Sequence, residues 1–392
     1  MSLNKPSIAP SSRRRLRLGM IGGGRGAFIG PVHRMAARLD DRYEFVAGVL
    51  SADPQRARDS GADLLLEANR CYTTVDEMLR AESARPDRVD VVAIVTPNHL
   101  HHASAKKFLE AGFHVICDKP LTTTIADAED LRSGAERMQR VLAVTYNYSG
   151  YPLVRHAREM IASGELGELR VVQVEYAQDW LSTALETEGQ KQAAWRADPE
   201  KGGAAGTVGD IGAHAFHLAE FVTGVPVAQI AADLSTHVAG RSLDDNAQML
   251  LRFANGARGA LWASQVASGN ENGLRLRIYG EKGGLEWSQE APNHLRFTRY
   301  GETPRLIARG GAGVGLAAAS ATRIPAGHPE GYIEAFAQVY RDIADLITAS
   351  DEKSAPSAGA LLVPTVKDGV RGVRFIHAAV ESSRRDAAWM TI

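Results

Sequence analysis

The chain has 392 residues, 44% hydrophobic and 23% charged, ordinary values for a globular protein and enough length for two or three domains with their own cores. Its 45 basic and 46 acidic residues leave a formal net charge of −1, which supplies no polycationic surface for nucleic acid or an anionic membrane. The two cysteines, Cys71 and Cys117, cannot make a disulfide framework, and no apolar run approaches the ~20 residues of a spanning helix, so a cytoplasmic protein with neither nucleic acid nor membrane as partner is expected.

Residues 1–14 read as a flexible tail. Arg13-Arg14-Arg15 resembles a twin-arginine export signal, but the short apolar stretch that follows is broken by Arg17 and ends in glycines, so no export signal is expected. From residue 16, short Val- and Ile-rich runs at 16–21, 44–49, 89–96, 113–117 and 141–145 alternate with amphipathic segments at 32–39, 54–69, 74–81, 99–111 and 125–140. Runs without polar alternation are strands covered on both faces, and strand–helix repetition implies right-handed crossovers in a parallel, doubly wound sheet. A Rossmann dinucleotide-binding domain is therefore expected over 15–148.

A helix at 151–163 and a strand at 169–176 follow. Strands at 247–253 and 257–265 flank Asn255-Gly256, a strong hairpin signal, and those at 274–279 and 285–288 flank Glu281-Lys282-Gly283-Gly284, with another strand at 294–300. An α+β domain over 149–392 is predicted, with a large, mainly antiparallel open sheet; a free face carrying Leu, Trp and Val suits a homodimer or homotetramer interface. Residues 309–320 are low in complexity and read as mobile; helices at 332–350 and 368–385 complete the chain.

The first strand runs into Gly22-Gly23-Gly24-Arg25-Gly26-Ala27-Phe28-Ile29-Gly30. Glycines there allow a tight turn and bring backbone N–H groups close to a pyrophosphate at a helix N-terminus. Two registers fit: Gly22, Gly24 and Ala27 as G-x-G-x-x-A, or Gly30 as the third small residue with Gly26-Ala27-Phe28 inserted. The second strand ends at Ser51-Ala52-Asp53, with Arg56 and Arg58 beyond. Asp53 suits the ribose hydroxyls of NAD, whereas serine with nearby arginines suits the 2′-phosphate of NADP, and both cofactors stay open.

Three further segments concentrate polar residues: Thr96-Pro97-Asn98-His99-Leu100-His101-His102 and Asp118-Lys119-Pro120 at strand ends, and a glycine-rich lead-in to Asp210-Ile211-Gly212-Ala213-His214-Ala215-Phe216-His217. With these motifs in this order, the chain resembles the Gfo/Idh/MocA family of glucose–fructose oxidoreductase and inositol dehydrogenase over residues 15–385. The resemblance implies that Lys119 of the family's Glu-Lys-Pro segment is catalytic, along with Asp210 and His214 of its Asp-x-Gly-x-His. It places the 96–102 loop beside the nicotinamide and ribose. Asp118 stands where the family has glutamate, and the glycine loop is longer.

The chemistry is consistent with that reading. Oxidising a secondary alcohol needs a base for the hydroxyl proton, a task suited to a histidine, while a lysine ammonium stabilises alkoxide character. Asp210 and His214, four apart, share a helical face. Expected cofactor contacts are Gly22, Gly24, Arg25, Ala27, Phe28, Ile29, Ser51, Asp53, Arg56, Thr96, Pro97, Asn98, His101, Asp118 and Lys119. Expected substrate contacts are Lys119, Asn147, Tyr148, Trp195, Arg196, Asp210, His214 and His328. An NAD(P)-dependent dehydrogenase acting on a sugar, cyclitol or related polyol is predicted, with no metal. The alternatives are a non-catalytic cofactor-binding sensor, or a metal-dependent enzyme using Asp210, His214 and His217.

Overall fold

The computed structural model describes residues 14–392. The expected tail therefore lies outside the described residues except for Arg14, whose guanidinium meets both oxygens of Asp90 at 2.6 and 2.7 Å. Strands β1 (Leu16–Gly22), β2 (Tyr43–Val49), β3 (Val91–Val95), β4 (His114–Cys117) and β5 (Leu142–Val144) form one sheet in the order β2-β1-β3-β4-β5. All its pairings are parallel. Every residue of β3 and β4 is buried, as runs of Val and Ile covered on both faces require. Connections leave β1 in one direction and β3 in the other, which opens a crevice at their carboxyl ends.

The amphipathic segment at 54–69 is not one helix. It stops at Asp63, Leu65 takes a left-handed backbone (φ 58°), and only a single 3-10 turn, Ala68–Arg70, follows. This reversal lays Cys71 alongside Gly48 in a parallel bridge, an abbreviated strand on the outer edge of β2.

The second sheet has nine strands in the order β13-β12-β11-β10-β6-β9-β8-β7-β14. They are β6 (Leu169–Ala177), β7 (Val227–Ser235), β8 (Asn246–Phe253), β9 (Arg258–Ser264), β10 (Gly273–Gly280), β11 (Gly283–Ser288), β12 (His294–Arg299), β13 (Arg305–Ala308) and β14 (Met390–Thr391). The sheet is antiparallel except where β6 lies parallel to β9, so the meander is interrupted at its centre. The alanine-rich β7 was absent from the predicted strands; pairing with β8 and packing of helix Val366–Arg384 outweigh its weak intrinsic propensity. Residues of the inner face, such as Val172, Val174, Leu261 and Leu276, are buried, while the other face carries Val171, Leu250 and Tyr279 exposed.

Two C-terminal segments return to the first domain. Helix Tyr332–Glu352 packs on helix Ile29–Leu39, and its Phe336, Val339, Tyr340, Ile343 and Ile347 join Leu18, Met20, Val91 and Ala93 in one buried cluster. The core of the first sheet is therefore completed by residues from the far end of the chain. The segment at 309–320 is tied down: helix Leu316–Ala321 lies on helix Pro152–Ala162, and buried Arg309 pairs with Glu330 at 2.8 Å. Arg323, a few residues on, pairs with Asp40 of the first domain. Among the described residues no helix is long and apolar enough to cross a membrane.

Candidate active site

The glycine loop is shaped by steric necessity. Gly22 and Gly23 have φ of 86° and 75°, which residues with a Cβ rarely adopt. A Cβ on Gly24 would stand 2.4 Å from the Leu50 carbonyl oxygen, and one on Gly30 would stand 2.3 Å from Gly23 Cα. Close contact between the first helix and the first strand is the task of the third glycine in a dinucleotide-binding turn, and here Gly30 makes it. Ala27 instead closes a small turn, its N–H donating to the Gly24 carbonyl at 3.0 Å, and Phe28 is exposed. Gly26-Ala27-Phe28 is thus an insertion, and Ile29 opens the helix. Buried Arg34, not singled out from the sequence, donates to the Gly23 carbonyl at 2.7 Å and props the loop from below.

Around the expected adenosine end, the polar groups are largely occupied with one another. Arg25 is bidentate to Asp63 (2.5 and 2.8 Å) and also reaches Asp59. Asp53 caps helix Pro54–Asp63 by accepting the Arg56 N–H at 2.7 Å, and Ser51 Oγ accepts the Asp53 N–H at 3.1 Å. The cradle itself, with open backbone and no Cβ in the way, fits a dinucleotide diphosphate.

At the carboxyl ends of β3, β4 and β5 the loops are knitted together. Buried His101 spans the carbonyls of Thr96 (2.8 Å) and Pro120 (2.9 Å), so its ring nitrogens serve these loops. Pro97 precedes the turn Asn98–Leu100, and Asn98 Nδ2 donates across to the Gly202 carbonyl of the second domain at 2.8 Å. Asp118 Oδ1 accepts from Thr145 Oγ1 (2.7 Å) and the Lys119 N–H (3.0 Å), which leaves Oδ2 4.0 Å from His33 Nε2. Buried His33 meets the Tyr340 hydroxyl at 2.7 Å, and its burial brings its pKa down to about 4.

Lys119 crosses the cleft. Its Nζ donates to the Asp210 carbonyl oxygen at 2.6 Å and to Asp210 Oδ1 at 3.0 Å. Asp210 lies on a π-helical turn, Val208–Gly212, that leads into helix Ala213–Thr223, rather than on the regular α-helix its spacing from His214 suggested. Such bulges recur at functional sites because they re-aim backbone groups. Asp210 Oδ2 is 3.3 Å from Arg196 Nε and accepts from Gln265 Nε2 at 2.9 Å. Burial alone would push the Asp210 carboxyl up, but the Lys119 and Arg196 charges and the hydrogen bonds hold it far below the usual carboxylate range.

His214 is buried among the rings of Tyr146, Tyr148 and Tyr176, at 5.8, 4.9 and 6.4 Å between centroids. Burial first, and the Lys119 charge second, drive its pKa well below the ordinary imidazole value, so it is neutral at pH 7. Its Nδ1 is buried with no hydrogen-bond partner among the described residues. Thr96 Oγ1 and Asn147 Nδ2 are likewise buried and unpartnered. Buried polar atoms are normally satisfied, so orphans at one set of strand ends mark where a polar ligand fits.

Of the remaining candidates, Trp195 stacks under the Arg196 guanidinium at 4.2 Å and comes to the site with it. His328 does not: it is exposed, with its ring nitrogen on the Pro325 carbonyl, in the segment held by Arg309. His217 stacks on Tyr146 at 4.2 Å with Nε2 3.9 Å from Asp368, away from the Asp210 carboxylate, and among the described residues no group of His, Cys, Asp or Glu is arranged to hold a metal ion. The sequence reading missed Gln265 and Asp244. The latter accepts from the N–H groups of Gly206 and Val208 at 2.7 and 2.9 Å and anchors the turn that carries Asp210. The Asp244-Asp245 pair directly before a strand was the available signal, since carboxylates there find N–H donors only in loops.

Residues 16–146 match the model described as an oxidoreductase family with an NAD-binding Rossmann fold, and residues 154–286 match the GFO/IDH/MocA C-terminal domain. The uncharacterized oxidoreductase YfiI of Bacillus subtilis is 34% identical, with 96% of each chain covered. The structure of an oxidoreductase from Sinorhizobium meliloti is 49% identical with a TM-score of 0.88, covering 96% of this chain and 100% of that one. An inositol dehydrogenase homolog from Azotobacter vinelandii in complex with NAD+ is 37% identical, TM-score 0.92, covering 97% of this chain and 98% of that one. A structure of an inositol dehydrogenase homolog from Azotobacter vinelandii in complex with NADH and myo-inositol is 36% identical with a TM-score of 0.89, covering 97% of this chain and 98% of that one. On its two matched domains and these end-to-end relatives, the chain belongs to the Gfo/Idh/MocA family and is an NAD-binding oxidoreductase of the dehydrogenase class.

Proposed function

We propose that the enzyme transfers a hydride between nicotinamide and a secondary alcohol or ketone of a neutral cyclitol, sugar or related polyol. The observation that carries this reading is the cross-domain contact of Lys119 with Asp210 beside a buried, neutral His214. When bound, the cofactor supplies the hydride acceptor or donor. His214 takes the hydroxyl proton, and Lys119 donates a hydrogen bond to the same oxygen as negative charge develops on it. Asp210 holds the ammonium in place and, with Arg196 and Trp195, orients the substrate; Asn147 Nδ2 offers a further donor.

For the cofactor, Gly22, Gly24 and the backbone through Ile29 cradle the diphosphate, Ser51, Asp53 and Arg56 stand at the adenosine ribose, and Thr96, Asn98 and Asp118 at the nicotinamide end. The relative with bound myo-inositol supports the substrate class. The free sheet face, with exposed Val171, Leu250 and Tyr279 and an open groove of about 680 Å³ beside Trp262 and Asn246, supports a homo-oligomer. Two unpaired cysteines suit the cytoplasm. The test is a panel of inositols, aldoses and glycosides followed at 340 nm with NAD and with NADP; absence of turnover across the panel by enzyme that binds NADH would refute the reading.

A further inference from the structure

Five neutral side chains gathered around the end of β6 form a hydrogen-bonded chain, and its first member dictates the direction of all the rest. Trp180 Nε1 donates to Gln178 Oε1 at 3.0 Å. An indole nitrogen is only a donor, so Gln178 turns its carbonyl oxygen to Trp180 and its NH2 to Asn272, meeting Oδ1 at 2.8 Å. The Tyr176 hydroxyl is 2.7 Å from the same Oδ1, an atom that cannot donate, so Tyr176 must. Its single proton committed there, Tyr176 accepts from Tyr148, whose hydroxyl lies 2.5 Å away. Asn272 Nδ2, left facing Tyr148, donates to the Tyr148 oxygen at 3.4 Å. Flipping either amide would set donor against donor at Trp180 or break the bond between the amides.

The chain ends on a phenol oxygen that has no proton to give but retains acceptor capacity. That phenol belongs to the ring nearest His214, 4.9 Å between centroids. The Gln178 backbone N–H donates to the Ser264 carbonyl, next to the Gln265 that holds Asp210, so the chain and the reacting centre share the ends of β6 and β9.

We propose that Tyr148 determines specificity for a free hydroxyl on the carbon next to the reacting one, accepting that hydroxyl's proton in a hydrogen bond, and that Trp180 is the positioning residue that sets this polarity from a distance. The inference rests on the polyol reading above. Its chemistry is selective: a vicinal diol supplies the donor, whereas an ether or a carbonyl at that carbon would bring lone pair against lone pair, and a deoxy carbon would leave the phenol oxygen unpaired. A site built around one hydrogen bond rejects the analogue that cannot make it.

The test uses the full chain with NAD, myo-inositol, its mono-O-methyl ethers and its monodeoxy analogues. Losing one neutral hydrogen bond is expected to raise KM about tenfold in Tyr148→Phe and about fivefold in Trp180→Phe, with kcat changed less than about threefold. Because both substitutions interrupt one chain, the double variant should be no worse than Tyr148→Phe alone. Tyr148→Phe should also narrow the gap between diol and methyl ether. Effects that multiply in the double variant, or a Trp180→Phe defect confined to kcat, would overturn the inference. Neutron diffraction from deuterated crystals reads the same polarity without turnover: deuterons are expected on Tyr148 pointing at Tyr176 and on Tyr176 pointing at Asn272. Reversed deuterons refute the chain even in an active enzyme. If no polyol is turned over, the functional reading fails on its own and the neutron map alone decides the polarity.

Discussion

Replacing Lys119 by alanine removes two contacts at once, the 2.6 Å bond to the Asp210 carbonyl and the 3.0 Å bond to its carboxylate. If Lys119 donates to the oxygen on which charge develops, losing that donor costs roughly a hundredfold to a thousandfold, and disturbing the proton transfer beside it adds to this. We expect kcat to fall about a thousandfold, equivalent to about 4 kcal/mol of transition-state stabilisation. The fold should survive, because Asp210 keeps Arg196 at 3.3 Å and the Gln265 hydrogen bond at 2.9 Å. The stability cost is then on the order of 1–3 kcal/mol, a loss of several degrees in Tm. Lys119 makes no contact with the glycine loop, so NADH affinity by fluorescence titration should stay within about tenfold. Turnover within about tenfold of wild type, in protein that still binds NADH, would show that the ammonium plays no part in the chemistry.

Three other perturbations probe the same architecture. Gln265→Leu removes one hydrogen bond to Asp210 and the acceptor of the Thr207 hydroxyl, and kcat/KM should drop about tenfold; unchanged steady-state kinetics would remove Gln265 from the site. Gly30→Ala forces a methyl to within 2.3 Å of Gly23 Cα, and it should weaken NADH binding at least about tenfold and cost roughly 1–3 kcal/mol of stability; normal NADH affinity would contradict Gly30 as the close-contact glycine. With His214 neutral through burial, kcat/KM should be flat across neutral pH and fall only in acid, below the ordinary imidazole value; an inflection at or above pH 6.5 assigned to an imidazole would exclude it as the base. The same burial acts on folding. His33, near pKa 4 when folded, and His217, also held below the ordinary imidazole value by burial, bind fewer protons when folded than in the unfolded chain as pH falls below about 6.5. Stability should therefore decline as pH falls through that range, measurable by urea denaturation at stepped pH.

Much of the first domain was readable because its strands are buried on both faces, and such runs as Val91–Val95 carry an unmistakable signature. Of the three catalytic candidates found by motif, Lys119 and Asp210 meet directly, because one is held at a strand end and the other on a turn at the head of a helix. Long-range partners left little local trace, the Asp244-Asp245 pair being the exception. Arg34 beneath the glycine loop, Gln265 on Asp210 and Asp244 beneath the π-turn are 11, 55 and 38 residues from what they support. His328 misled for the opposite reason: a histidine ahead of a late helix looked available, but the chain there is anchored by Arg309 on the outside of the molecule. Register in the glycine loop needed coordinates because composition cannot say which of several small residues touches the strand.

The passage of helix Tyr332–Glu352 through the core of the first domain has a consequence for how the polypeptide can be cut. Its Phe336, Val339, Tyr340, Ile343 and Ile347 each withhold apolar surface from water worth roughly 2 kcal/mol, so together they rival the entire net stability of a typical domain. A fragment ending near residue 150 would lack a wall of its own interior and should aggregate rather than stand alone. The dinucleotide-binding half is assembled from both ends of the polypeptide, and the newly made N-terminal portion must wait for translation to run almost to completion before it can close.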